Sequence, residues 1–109
     1  MRFLCLAYGK EEDWIALPEA RRAELWARDE VLRQRGDLVA VVGEPTVVRA
    51  WDGPVTTTSE AYAVGPAPLV GFSIVEAEDV DEAVSLVAGT PCAVAGGAIE
   101  VRPILDLPS

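Results

Sequence analysis

The 109-residue sequence contains no histidine. Histidine titrates near neutrality unaided and is the commonest metal ligand, so its absence excludes Ser-His and Cys-His nucleophile pairs and every imidazole-held metal centre. Any proton chemistry has to come from carboxylates, tyrosine, arginine or a thiol. Cysteine is scarce as well. Cys5 and Cys92 stand in separate segments without a C-x-x-C spacing, which leaves neither a four-ligand zinc site nor a disulfide framework. No phosphate loop of the P-loop type occurs either, so no metal and no cofactor is expected. Basic residues are outnumbered, nine Lys and Arg against eighteen Asp and Glu, and the net charge of −9 repels phosphate backbones and anionic lipid surfaces. Nucleic acid and membrane are accordingly not expected as partners. No apolar run can span a bilayer, and residues 3–7 are too short for a secretory signal core, so the expected location is the cytoplasm.

What is present fits one domain over residues 1–109 with a single hydrophobic core. "RFLCLAY" is apolar on both alternations and suits a central strand covered on both faces. "LPEARRAELWARDEVLRQRG" predicts a helix of about five turns, opened near Pro18 and stopped by Gly36. Glu24/Arg28 and Asp29/Arg33 read as i, i+4 pairs on its solvated side. Ala20, Ala23, Ala27 and Val31 share one side and Leu25 and Leu32 another, which suggests two packing partners. "DLVAVVG" and "TVVRAW" read as strands, "PVTTT" as a short return strand, and "LVGFSIVEA" as the next long strand. "DVDEAVSLVAG" predicts a short helix capped by Asp79 and Glu82, with Val80, Ala83, Val84 and Val87 as its buried stripe. "AIEVRPIL" is the last strand.

This order predicts an α+β fold: a ferredoxin-like βαββαβ plait with an extra hairpin, its two helices on one face of an antiparallel sheet. The first strand is apolar on both sides, so the bare face calls for a second copy of the chain and a homodimer is expected.

"RFLCLAYG", "LRQRGDLV", "VVRAWDG", "GFSIVEAEDVDEAVSLV" and "GGAIEVRPI" together resemble the YCII-related family in its DGPF branch, as a divergent member. The likeness runs over about residues 2–105 and is most specific in the block 71–104. It implies a dimeric α+β barrel and relatives that include a few enzymes on small ring compounds. Many branch members lie beside genes for alternative sigma factors, which raises a partner-modulator role. In that register the family's Asp-Gly-Pro-Phe motif falls on Ser59-Glu60-Ala61-Tyr62, while Asp52-Gly53-Pro54 reads as a hairpin turn. Enzyme-like relatives pair a helix histidine with an aspartate after the second helix; the matching positions here are Leu25 and Thr90, and neither can move a proton as those groups do.

The candidate ligand contacts are therefore Tyr8, Leu25, Arg49, Tyr62, Thr90 and Arg102, with no catalytic residue assigned. Tyr8 and Tyr62 offer hydroxyls, and Arg49 and Arg102 offer guanidinium groups to an anion. Trp14, Trp26 and Trp51 suit either a pocket wall or a dimer seam. Cys5 reads as an inert core thiol and Cys92 as a loop thiol with nothing to activate it. The expected function is small-molecule binding or a structural role without the family's His-Asp chemistry. The alternatives are a lyase or isomerase acting on a small cyclic acid, with a carboxylate or Tyr62 as base, and a modulator of a partner such as a sigma factor.

Overall fold

The two longest segments with apolar residues on both alternations become the central strands, β1 (Arg2–Tyr8) and β5 (Leu69–Glu76). The computed structural model describes residues 1–108. Between those strands run α1 (Glu11–Ile15), α2 (Glu19–Gln34), β2 (Leu38–Val41), β3 (Val47–Arg49) and β4 (Thr56–Thr58). After β5 come α3 (Val80–Val87), α4 (Pro91–Val94) and β6 (Ala98–Pro103). The main sheet is antiparallel throughout in the order β2-β5-β1-β6, and β3 and β4 form a separate two-stranded ribbon. This is the expected ferredoxin-like α+β arrangement with its hairpin extension. No helix among the described residues is long and apolar enough to cross a membrane.

Local chemistry sets the ends of the helices. At the end of α2, Gly36 adopts φ +96°, and the bonds Gly36 N–H to Arg33 O (2.9 Å) and Asp37 N–H to Leu32 O (3.1 Å) complete a Schellman stop that other residues enter only with strain. Asp37 then ties the start of β2 to the end of β5. Its Oδ1 accepts from Glu76 N–H at 3.1 Å, while the Arg35 guanidinium lies 3.2 Å from Oδ2 without the alignment of a hydrogen bond. At α3, the Asp79 carboxylate accepts from Glu82 N–H at 2.9 Å, and the Glu82 side chain reaches back to Glu78 N–H. The Asp52-Gly53 turn joins β3 to β4 with Asp52 in the left-handed region at φ +49°.

Three sequence expectations need correction. The salt links on α2 run i, i+3 and not i, i+4: Arg21–Glu24 at 2.9 Å and Glu30–Arg33 at 2.8 Å. The Ala20, Ala23, Ala27 and Val31 side of α2 faces solvent, and only the Leu25 and Leu32 side is packed, because one helix layer on one sheet offers α2 a single apolar surface. On α3, Ala83 and Val87 are buried whereas Val80 and Val84 stay 48% and 47% exposed, since an eight-residue helix turns only a narrow stripe to the sheet.

The core lies between the helices and one sheet face. Phe3 and Cys5 from β1 and Val75 from β5 pack with Leu32, Ala83 and Val87. Strand alternation sends Leu4 and Leu6 to the opposite face, opposite Ile74 and Phe72 of β5, and all four are half-buried. The turn into β6 depends on Gly97, where any Cβ would run into the Tyr8 carbonyl oxygen. Leu32→Ala is expected to cost about 2–5 kcal/mol in urea denaturation, because it opens a cavity at the centre of this layer. Ala27→Gln on the exposed side should stay within about 0.5 kcal/mol. Equal losses from the two variants would contradict the assigned packing side of α2.

Candidate functional site

The helix layer does not close over the whole sheet. Toward the β2 edge, α1, α2 and α4 stand off from β1, β2 and β5 around a cavity of about 640 Å³. Its walls are mainly apolar, with Trp14 from α1 and Trp26 from α2 meeting edge to face at 5.3 Å between ring centroids and 75° between planes. Val39, Gly71 and Ser73 contribute from the sheet, and Thr90 and Cys92 from the α4 end. The acidic first turn of α1, Glu11, Glu12 and Asp13, suits a helix N-terminus and sets Trp14 one turn in, where it reaches α2. This five-residue helix has no side-chain cap, and the sequence expectations above contain no helix before Pro18.

One ionisable side chain stands out in the wall. Asp29 lies four residues after Leu25 and three before Leu32, so it shares the packed side of α2 with the two buried leucines. Among the described residues it enters no ion pair, because Arg33 turns to Glu30 instead. Burial pushes its carboxyl above the usual aspartate range. The Cys92 thiol is raised first by burial and then by the nearby charge of Asp29, so it stays protonated and unreactive at neutral pH. Cys5, deep in the core, is likewise raised by burial. Glu30 and Arg33, already paired to each other, and the exposed Lys10 and Glu11 are the remaining charged groups in the lining. No group of three Asp, Glu or Cys side chains among the described residues is arranged to hold a metal ion.

The six residues named from sequence are dispersed. Thr90 lines the cavity, but its hydroxyl donates to the Val87 carbonyl at 2.6 Å and is fully engaged as a donor there. Leu25 is buried and faces a different, shallow depression with Arg28, Gly89 and Val94. Arg49 and Tyr62 meet outside the cavity: the guanidinium stacks 5.4 Å from the Tyr62 ring and 5.8 Å from that of Trp51, on the ribbon side of the molecule. Tyr62 itself is 76% exposed. Arg102 is paired to Glu100 at 2.9 Å on an exposed stretch of β6, and Tyr8 ends β1 without joining the cavity lining. Of the three tryptophans read as pocket wall or dimer seam, Trp14 and Trp26 line the cavity and Trp51 does not, while Asp29 is a wall residue that the sequence did not single out. For Asp29 the available signal was a charge on the Leu25–Leu32 stripe, obscured by its reading as a surface partner of Arg33.

The geometry defines a small α+β protein whose antiparallel sheet carries its helices on one face and holds an aromatic-walled, ligand-sized cavity beneath them. The chain belongs to the YCII-related family, whose domain profile matches residues 1–108. Among solved structures it is similar to 5-chloro-2-hydroxyhydroquinone dehydrochlorinase (TftG) from Burkholderia phenoliruptrix AC1100, in complex with 2,5-dihydroxybenzoquinone. The two are 20% identical, with 96% of this chain and 94% of that one covered and a TM-score of 0.51. That likeness concerns the fold. No curated protein matches the sequence.

The raised carboxyl of Asp29 has a consequence for stability. The folded protein holds this proton over a pH window in which the unfolded chain has already released it. Stability from this group is therefore greatest in acid and is lost as pH rises from the ordinary aspartate range through the raised native value. Asp29→Asn removes the burden of a buried charge. The variant should melt above the parent at pH 7 by differential scanning calorimetry, with the gap shrinking toward acid pH. A variant that melts below the parent at pH 7 would show that the charge is stabilised in place.

Proposed function

We propose that the protein binds a small ring-shaped organic molecule in the cavity beneath α1 and α2. The carrying observation is the cavity itself: about 640 Å³, mainly apolar, walled by Trp14 and Trp26 and open at one edge. Sites for small ligands have this size and this ratio of apolar wall to a few polar groups. Within the family, the Gly71-to-Ile104 block favours the DGPF branch, with the Asp52-Gly53-Pro54 triplet serving as the ribbon turn. A second reading, an elimination or isomerisation on the bound ring, draws on Asp29 as an ionisable group inside the wall. It also fits the activity named for the similar dehydrochlorinase. Its cyclic-acid form with Arg49 or Arg102 as anion clamp draws no support, because neither guanidinium belongs to the cavity lining.

We also propose a homodimer through the sheet face opposite the helices, where Leu4, Leu6, Phe72 and Ile74 form an apolar surface and Leu38 is 52% exposed. Analytical ultracentrifugation at micromolar concentration should give a mass near twice 11.6 kDa. Leu6→Glu, placed at the middle of that face, should return the single-chain mass, and a parent protein that sediments as one chain would remove the dimer.

Binding is tested by isothermal titration calorimetry with 2,5-dihydroxybenzoquinone and with hydroquinone, kept anaerobic. At least one of them should bind, Val39→Phe should abolish that binding by filling the cavity, and Tyr62→Ala should leave it unchanged. Binding that survives in Val39→Phe and is lost in Tyr62→Ala would move the site to the ribbon.

A further inference from the structure

Resting on the cavity as a ring-binding site, we infer that Asp29 is its polar anchor, and that the site takes a neutral hydroxylated ring in preference to a ring carboxylate. Charged and titratable groups reach the cavity from α2 as Asp29, Glu30 and Arg33, from the α1 end as Lys10 and Glu11, from α4 as Cys92 and from β1 as Cys5. The lining of β2 and β5 adds only uncharged residues, Val39 and Ser73 among them. Glu30 and Arg33 neutralise one another at 2.8 Å. Lys10 and Glu11 are adjacent and both exposed, so their charges are offset and solvated. Both thiols are neutral. What remains is one half-buried carboxyl with no ion partner among the described residues, in an otherwise apolar, tryptophan-walled space.

A carboxylate in that setting is an acceptor in want of a donor. A ring hydroxyl meets it with a charge-assisted hydrogen bond, while the ring lies against the indoles. A ring carboxylate brings a second negative charge to a poorly solvated site and either stays out or forces a proton onto Asp29. The expected selectivity is therefore for phenols and quinols. Affinity for them should rise with pH as Asp29 ionises, up to the point where the ring itself loses its proton.

The experiment measures hydroquinone and benzoate binding by calorimetry from pH 4 to pH 8, in the parent and in Asp29→Asn, alongside NMR titration of the Asp29 carboxyl carbon. Hydroquinone should bind the parent about tenfold more tightly once Asp29 has ionised, with the midpoint of that gain at the NMR titration midpoint. Asp29→Asn should show a flat profile at the weaker affinity, and benzoate should bind less well than hydroquinone at pH 7. Benzoate binding as tightly as hydroquinone, or a pH profile that persists in Asp29→Asn, overturns the inference while leaving the cavity as a binding site. Binding of neither ring, nor of 2,5-dihydroxybenzoquinone, overturns the cavity reading and the inference with it, whereas 2,5-dihydroxybenzoquinone binding alone overturns only the inference.

Discussion

The structure depends on the apolar layer between α2 and the sheet, which is complete at one end and open at the other. At the closed end Leu32 packs with Phe3, Cys5 and Val75, and that contact seats the helix on the sheet. At the open end the same helix side presents Asp29, which cannot fill the space as a leucine would. There Trp26 meets Trp14 of α1 edge to face in the cavity wall. A cavity bounded on one side by a packed core is stable because its rigid wall is already secured. A carboxyl is tolerated within it because burial favours its protonated form.

The position of the charge explains several features together. Arg33, one turn away on the same helix, is the natural partner for Asp29 in an isolated helix, yet it turns to Glu30 at the rim. Asp29 therefore remains alone in the wall, raised by burial, and its charge in turn helps to hold Cys92 as a thiol. The Thr90 hydroxyl spends its proton on the carbonyl of Val87 and so offers the carboxyl no donor. The properties of this carboxyl are set by desolvation.

Much of the fold was legible in the sequence because its signals were local. The double-sided apolar runs of β1 and β5, the Asp79 cap, the Gly36 stop and the Asp52-Gly53 turn each follow from a few neighbouring residues, and each appears where those residues require it. The site was less legible because it is tertiary. α1 lacks a side-chain cap and is visible only through its acidic first turn and the Trp14–Trp26 contact. Asp29 looked like a surface charge because helical spacing gives the angle around an axis and not what lies opposite. Arg49 and Tyr62 did come together, but on the ribbon and with Trp51, where β3 and the following loop approach each other away from the main sheet. Leu25 and Thr90, adjacent by family register, face different spaces because α2 separates the cavity from the depression beside Arg28.

The most direct test of this account is a crystal structure of the protein soaked with hydroquinone. The ring is expected between the Trp14–Trp26 pair and the sheet, with one hydroxyl within hydrogen-bond distance of an Asp29 carboxyl oxygen. Electron density for the ring against Arg49 and Tyr62, or in the cavity with its hydroxyls turned away from Asp29, would contradict it.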